Sequence, residues 1–207
     1  MGSKQGQAQI VSKKDQIKVL ESFIGSQHET RNRAIFLMGF RVGLRCKELA
    51  TIKVEDLVFD PSLISAKPKW KNDDIKEVIT LRSEVSKGGK ISQAFIVDTD
   101  LRKALVEYLN LRNESFNRGH DNLFISKKGS AFSPTSMSRL FLHMSRDSGV
   151  SFTGHSGRRT LATELMENNV HIGRMKKIMR HENISTTMLY VENDPKALSD
   201  IMKGLHS

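Results

Sequence analysis

The sequence predicts a mainly α-helical fold carrying one small antiparallel β-sheet (α+β). Three observations carry that expectation. Apolar residues recur at helical spacing over the first sixty residues and again after Asp100. Between Asp60 and Asp98 the pattern changes to two β-prone runs, 78–85 and 91–97, flanking Ser86, Lys87, Gly88, Gly89 and Lys90. The chain of 207 residues, 38% hydrophobic and 27% charged, is long enough to bury one substantial core and has globular composition.

Residues 1–11 read as a flexible N-terminal arm, 12–194 as the folded domain and 195–207 as a tail helix. Ser12, with Asp15 three residues on, marks a helix start. Ile17, Leu20, Phe23 and Ile24 are expected on its inner face, and Gly25-Ser26 to end it. Thr30 is the expected cap of the next helix, where Ala34, Ile35, Phe36, Leu37 and Met38 are apolar on nearly all sides and so predict burial. That helix delivers Gly43-Leu44-Arg45, and a short helix follows with Leu49 and Ile52 inward. Leu63 and Ile64 read as a short strand, and 68–74, with Trp70, as a polar loop. The two strands come next, placing Lys87 and Lys90 at a hairpin tip where glycines supply positive φ without steric cost.

Leu101, Leu105, Tyr108 and Leu109 share a helical face, and 123–125 reads as a buried extended piece. Ser133-Pro134 is a cap followed by proline at the first helical position, and Gly149 closes that helix. Its Met137, Leu140, Phe141 and Met144 read as core. Leu161, Leu165 and Met166 predict another helix, and Ile172, Met175 and Met179 one more. Ser185 is expected to cap a short helix bearing Tyr190, before the break at Asn193-Asp194-Pro195.

The net charge of +10 and pI of about 9.8 point to a polyanionic partner, nucleic acid before an anionic membrane. The single cysteine, Cys46, excludes an intramolecular disulfide and predicts a reducing compartment. No apolar run reaches the roughly 18 residues of a membrane span, and the polar start does not read as a signal peptide. A cytoplasmic, nucleoid-associated bacterial protein is expected. No His/Cys/Asp/Glu spacing suits a metal, so neither metal nor cofactor is expected.

The stretch from His155 to Tyr190 concentrates the chemistry. It holds His155-Ser156-Gly157-Arg158, a basic run, Arg180-His181, and Tyr190 nine residues after His181. Cutting a phosphodiester with a protein nucleophile requires charge stabilisation on the non-bridging oxygens, deprotonation of the nucleophile and protonation of the leaving oxygen. Arg45 and Arg158 suit the first need, because planar guanidiniums bind phosphate oxygens bidentately and stay charged. Tyr190 is the candidate nucleophile. A phenol near pKa ~10 needs a base or positive surroundings, and His155 or His181 is the candidate base.

The ordered set resembles the catalytic domain of the tyrosine recombinases, the phage-integrase family. It comprises Gly43-Leu44-Arg45-Cys46-Lys47-Glu48-Leu49, a Lys-bearing turn, His155-x-x-Arg158-Arg159-Thr160, His181 and Tyr190, and covers roughly 12–192. The resemblance implies a site-specific DNA recombinase working through a 3′-phosphotyrosyl intermediate with a free 5′-hydroxyl. It implies that Lys87 (with Lys90 as runner-up) is the general acid, that the two imidazoles also hold the phosphate, and that Glu48 supports the Arg/His cluster. It also implies a homotetramer on double-stranded DNA, monomeric in solution, with the tail docking on a neighbour. Lys90, Arg159, Arg174, Lys176, Lys177 and Arg180 are expected to meet DNA phosphates. Arg180 stands where the family usually has glycine, which puts the local turn in question.

Family members usually carry a separate N-terminal DNA-binding domain. The short segment before residue 12 fits an excised catalytic domain or a short member like the fimbrial-switch invertases. Two other readings are a topoisomerase IB-like relaxing enzyme and a DNA-binding regulator with an unused active site. Base readout depends on side chains that the sequence does not place, so the target sequence stays unread.

Overall fold

Helix boundaries follow the capping chemistry of the chain. The computed structural model describes residues 8–66, 69–82, 91–115 and 121–181. Helix α1 (Lys13–Glu21) starts where the Ser12 hydroxyl oxygen accepts the Asp15 backbone N–H at 3.1 Å. Its inner face differs from expectation. Phe23 is buried as expected, but Ile17 and Ile24 are exposed, while Val19 and Gln16 are buried. Gln16 is held inside because its amide donates to the Val11 carbonyl and accepts from Arg41. Val11 itself belongs to the core, and its N–H donates to Thr160 Oγ1 at 3.0 Å. Part of the expected arm is therefore tied down.

Helix α2 (Glu29–Arg41) begins after His28 rather than at Thr30. It is the central element, buried from Ala34 to Phe40, and packs against α6 (Thr99–Ser115) and α8 (Ser156–Glu167). Phe36 and Phe40 stack at 4.2 Å, and Phe152 meets both rings edge-on. Phe152 lies just before His155, so the aromatic cluster anchors the loop that starts α8. The close crossing of α8 over α2 requires glycine. A Cβ on Gly157 would lie 2.5 Å from the Gly39 carbonyl oxygen.

Helices α3 (Cys46–Thr51) and α4 (Val54–Leu57) follow α2, with Leu49 and Ile52 inward. Leu63 and Ile64 fall in a helical turn, α5 (Leu63–Ala66), not in a strand. The 68–74 segment contains a 3-10 turn, Asn72–Asp74. Trp70 is buried and exchanges backbone hydrogen bonds with the Asn110 side chain on α6, which explains an apolar ring in a polar stretch.

The expected sheet is present as β1 (Val78–Leu81) and β2 (Ser92–Phe95), antiparallel, with Ile79 opposite Ala94. Both face inward, and Val78 and Phe95 face out. The hairpin tip with Lys87 and Lys90 lies outside the described residues. Helix α7 (Pro134–Ser148) has the predicted Ser133 cap, Pro134 at its first position, and Gly149 at φ +67 as its end. Helix α9 (Ile172–Ile178) completes the described fold. Among the described residues no helix is long and apolar enough to cross a membrane.

Candidate active site

Two helix ends build the site. After α2 the chain turns left-handed at Gly43 (φ +65), buries Leu44 and places Arg45 immediately before α3. The Glu48 carboxylate, one turn on, accepts the Arg45 backbone N–H at 2.7 Å and its Nη1 at 2.6 Å. Glu48 is fully buried while the Arg45 side chain keeps 24% exposure. Arg45 is thus gripped at one edge and open at another.

Arg158 reaches the same place from α8. Its Nη1 donates to the Gly43 carbonyl at 2.7 Å and its Nη2 donates to the Met179 carbonyl at the end of α9. Arg45 Nη2 donates to the next carbonyl in that turn, that of Arg180, at 3.3 Å. The two arginines, 113 positions apart in the chain, therefore converge on the turn preceding His181. Helix C-termini present unsatisfied, partly negative carbonyls, and guanidiniums satisfy them.

His181 is buried at 7% exposure. Burial lowers its pKa first, and the charges of Arg158, Arg45 and Arg180 lower it further, to about 4. Its imidazole is neutral at neutral pH and able to accept a proton or a hydrogen bond. His155 sits at the N-cap of α8, three residues before Arg158, with an exposed side chain. Glu48 is pushed up by burial, but Arg180, the Arg45 N–H, Arg45 and Arg158 outweigh this and hold its carboxyl below the ordinary range. Lys87 and Tyr190 lie outside the described residues. The other tyrosine, Tyr108, is a core residue whose hydroxyl accepts the Ile125 N–H at 3.1 Å.

The expected phosphate contacts divide. Arg174 and Lys177 are exposed on α9 and Lys176 is half-buried, while Met175 faces the core. Arg159 donates to the Ala8 carbonyl at 2.6 Å, tying down the start of the described chain. Lys90 lies outside the described residues. Arg180 does not belong with this group. Its side chain is 3% exposed and points inward at Glu48, so it offers DNA no surface. The sequence signal for this was its occupation of a glycine position. Cys46 packs, and burial pushes its thiol up to about 11. Among the described residues no His/Cys/Asp/Glu group has a metal-binding arrangement.

The phage integrase family model matches residues 11–197. The tyrosine recombinase XerA of Pyrococcus furiosus is 26% identical over 176 residues, covering 84% of this chain and 54% of that protein. Transposase A from transposon Tn554 of Staphylococcus aureus is 28% identical over 185 residues, covering 85% and 48%. The crystal structure of XerA recombinase superposes with a TM-score of 0.72 at 23% identity, covering 96% of this chain and 65% of that one. The chain spans about half the length of these curated relatives.

Proposed function

The chain belongs to the phage integrase family, and from that premise we propose that it cuts and rejoins double-stranded DNA through a covalent 3′-phosphotyrosyl intermediate. The observation that carries this reading is the meeting of Arg45, Arg158 and a neutral His181 at one turn. Tyr190 supplies the nucleophile, since the only other tyrosine is spent in the core.

The phenolic oxygen of Tyr190 attacks phosphorus, the P–O(Tyr) bond forms and the P–O5′ bond breaks. The guanidiniums of Arg45 and Arg158 take the charge that accumulates on the non-bridging oxygens. The phenol proton passes towards His181 or His155, and Lys87, with Lys90 as the alternative, protonates the leaving 5′-oxygen. A bound phosphate opposes the three guanidiniums around His181 and raises its proton affinity as the nucleophile arrives. Glu48 positions Arg45. The phosphotyrosyl ester conserves the energy of the broken bond, so attack by a 5′-hydroxyl reseals the strand.

A pool of nicked duplexes of randomised sequence tests the proposal. The short fragment beyond the cut diffuses away and traps the adduct. The expected result is a detergent-resistant protein–DNA adduct whose DNA is enriched in one sequence, absent in Tyr190→Phe. No adduct from the parent chain overturns the reading. We further propose that exchange occurs in a tetramer on DNA, with residues 195–207 docking on a neighbour and Arg174, Lys176 and Lys177 on phosphates. Trimming 195–207 is then expected to spare cleavage but to abolish assembly on DNA in sedimentation experiments, and unchanged assembly rejects it.

A further inference from the structure

A third arginine occupies this site. Arg180 has φ +53, a left-handed conformation that residues with a Cβ rarely adopt. That conformation turns its side chain into the protein. Nη1 donates to the carbonyls of Val42 and Ile178, each at 3.2 Å. Nη2 donates to the Gly43 carbonyl at 2.7 Å and to Glu48 Oε2 at 3.3 Å. The same turn aims the Arg180 carbonyl at Arg45 Nη2. Arg180 therefore holds Arg45 twice, through its own carbonyl and through the carboxylate that grips Arg45 from the other side.

The charge balance gives this arrangement a consequence. Among the described residues the Glu48 carboxylate is shared, taking Arg45 Nη1 on Oε1 and Arg180 Nη2 on Oε2, while Arg45 keeps an exposed edge. A phosphodiester attacked by an ionised phenol reaches a transition state with two negative charges on phosphorus-bound oxygens. Without Arg180, Glu48 would be opposed mainly by Arg45 and would neutralise the guanidinium that must meet the phosphate. We propose that Arg180 is a positioning residue for strand cleavage: it engages Glu48 and orients Arg45, so that the open edge of Arg45 remains available to the scissile phosphate. This role rests on the strand-cutting reading above, and it differs from the surface phosphate contact that the basic run of the sequence predicts.

Arg180→Gly tests it, because glycine accepts the left-handed backbone while removing the fork. At saturating nicked duplex, adduct formation is expected to slow by roughly 100-fold, as for loss of a preorganised charge at a reacting phosphate. Affinity for the duplex is expected to change by less than about threefold, since a buried cation makes no phosphate contact. Arg180→Gly combined with Glu48→Gln frees Arg45 from an undivided carboxylate and is expected to cleave faster than Arg180→Gly alone. Arg180→Lys, which keeps the charge without the fork, is expected to fall between. A parent-like rate in Arg180→Gly overturns the proposal, and so does a double variant no faster than the single one. Should Arg180→Gly fail to fold, the double variant and Arg180→Lys decide it by the same rate criterion. The Arg45 side-chain N–H signal in proton–nitrogen NMR gives a readout independent of catalysis. It is expected to shift and broaden in Arg180→Gly, and an unchanged signal overturns the positioning role even if the parent forms no adduct, an outcome that by itself rejects only the strand-cutting reading.

Discussion

Two arginine–carboxylate clusters in this molecule contain the same chemical groups and behave as opposites. In the outer one, Arg82 meets Glu55 and Asp56 where α4 lies against β1, with Arg82 and Glu55 about 40% exposed. In the inner one, Arg45 and Arg180 meet Glu48, whose side chain is 1% exposed. The outer charges keep much of their hydration, so their mutual attraction adds little to stability. The inner charges have exchanged water for a carboxylate and for the carbonyls of residues 42, 43, 178, 179 and 180. Counting ion pairs therefore does not find the candidate site. Guanidiniums drawn out of water around one shared carboxylate mark it instead.

The contrast is sharpest for the carboxylates themselves. Glu48→Ala leaves buried guanidiniums without their anion and is expected to cost about 3–5 kcal/mol in urea unfolding. Losses as small as those of the outer cluster would break the comparison.

Acid sharpens it next. His181 takes up a proton near pH 4 in the folded chain, whereas an unfolded imidazole does so near 6.5. Between those values the unfolded state binds more protons, so stability falls as pH drops through this window and levels below it. At about 1.4 kcal/mol per pKa unit the full swing is on the order of 3 kcal/mol. Urea midpoints measured from pH 7 to pH 4 check this, and His181→Asn is expected to flatten the slope. Glu48 acts lower. Its depressed carboxyl stabilises the fold above the ordinary carboxylate range, and that contribution is lost as pH falls through its folded pKa.

A steric change at the frame of the inner cluster comes third. Gly157→Ala forces a Cβ to within 2.5 Å of the Gly39 carbonyl and pushes α8, with Arg158, off α2. A loss of about 1–3 kcal/mol is expected in thermal unfolding, as for other overpacked contacts, with slower adduct formation in the proposed reaction. The smallest effect belongs to the outer cluster. Arg82→Ala is expected to cost no more than about 1 kcal/mol, and less in high salt.

Much of this molecule is legible in its residues. Ser12, Ser133-Pro134 and Gly149 mark helix ends because capping is a local matter of one side chain and the next turn. The strand pair 78–81 and 92–95 follows from alternation about a glycine turn. Errors arose where long-range packing overrode local pattern. Ile17 and Ile24 fit a helical face but sit outside, because Gln16 finds two partners within and takes the inward place. Leu63 and Ile64 are β-prone in isolation yet close a helical turn.

The site divides along the same line. The sequence alone determines which groups are present, namely the arginines at 45, 158 and 180, the acid at 48, the imidazoles at 155 and 181 and the phenol at 190, and their spacing carries the resemblance from which the chemistry is proposed. Only the tertiary structure decides which arginine faces outward and which is consumed inside. Arg180 lies in a basic run that reads as surface, but its left-handed backbone directs it to a carboxylate 132 positions away. Local composition carries no record of that distance. The orientation of a guanidinium is set by the acceptors within its reach, and those are assembled only when α2 and α9 bring their carbonyl ends together.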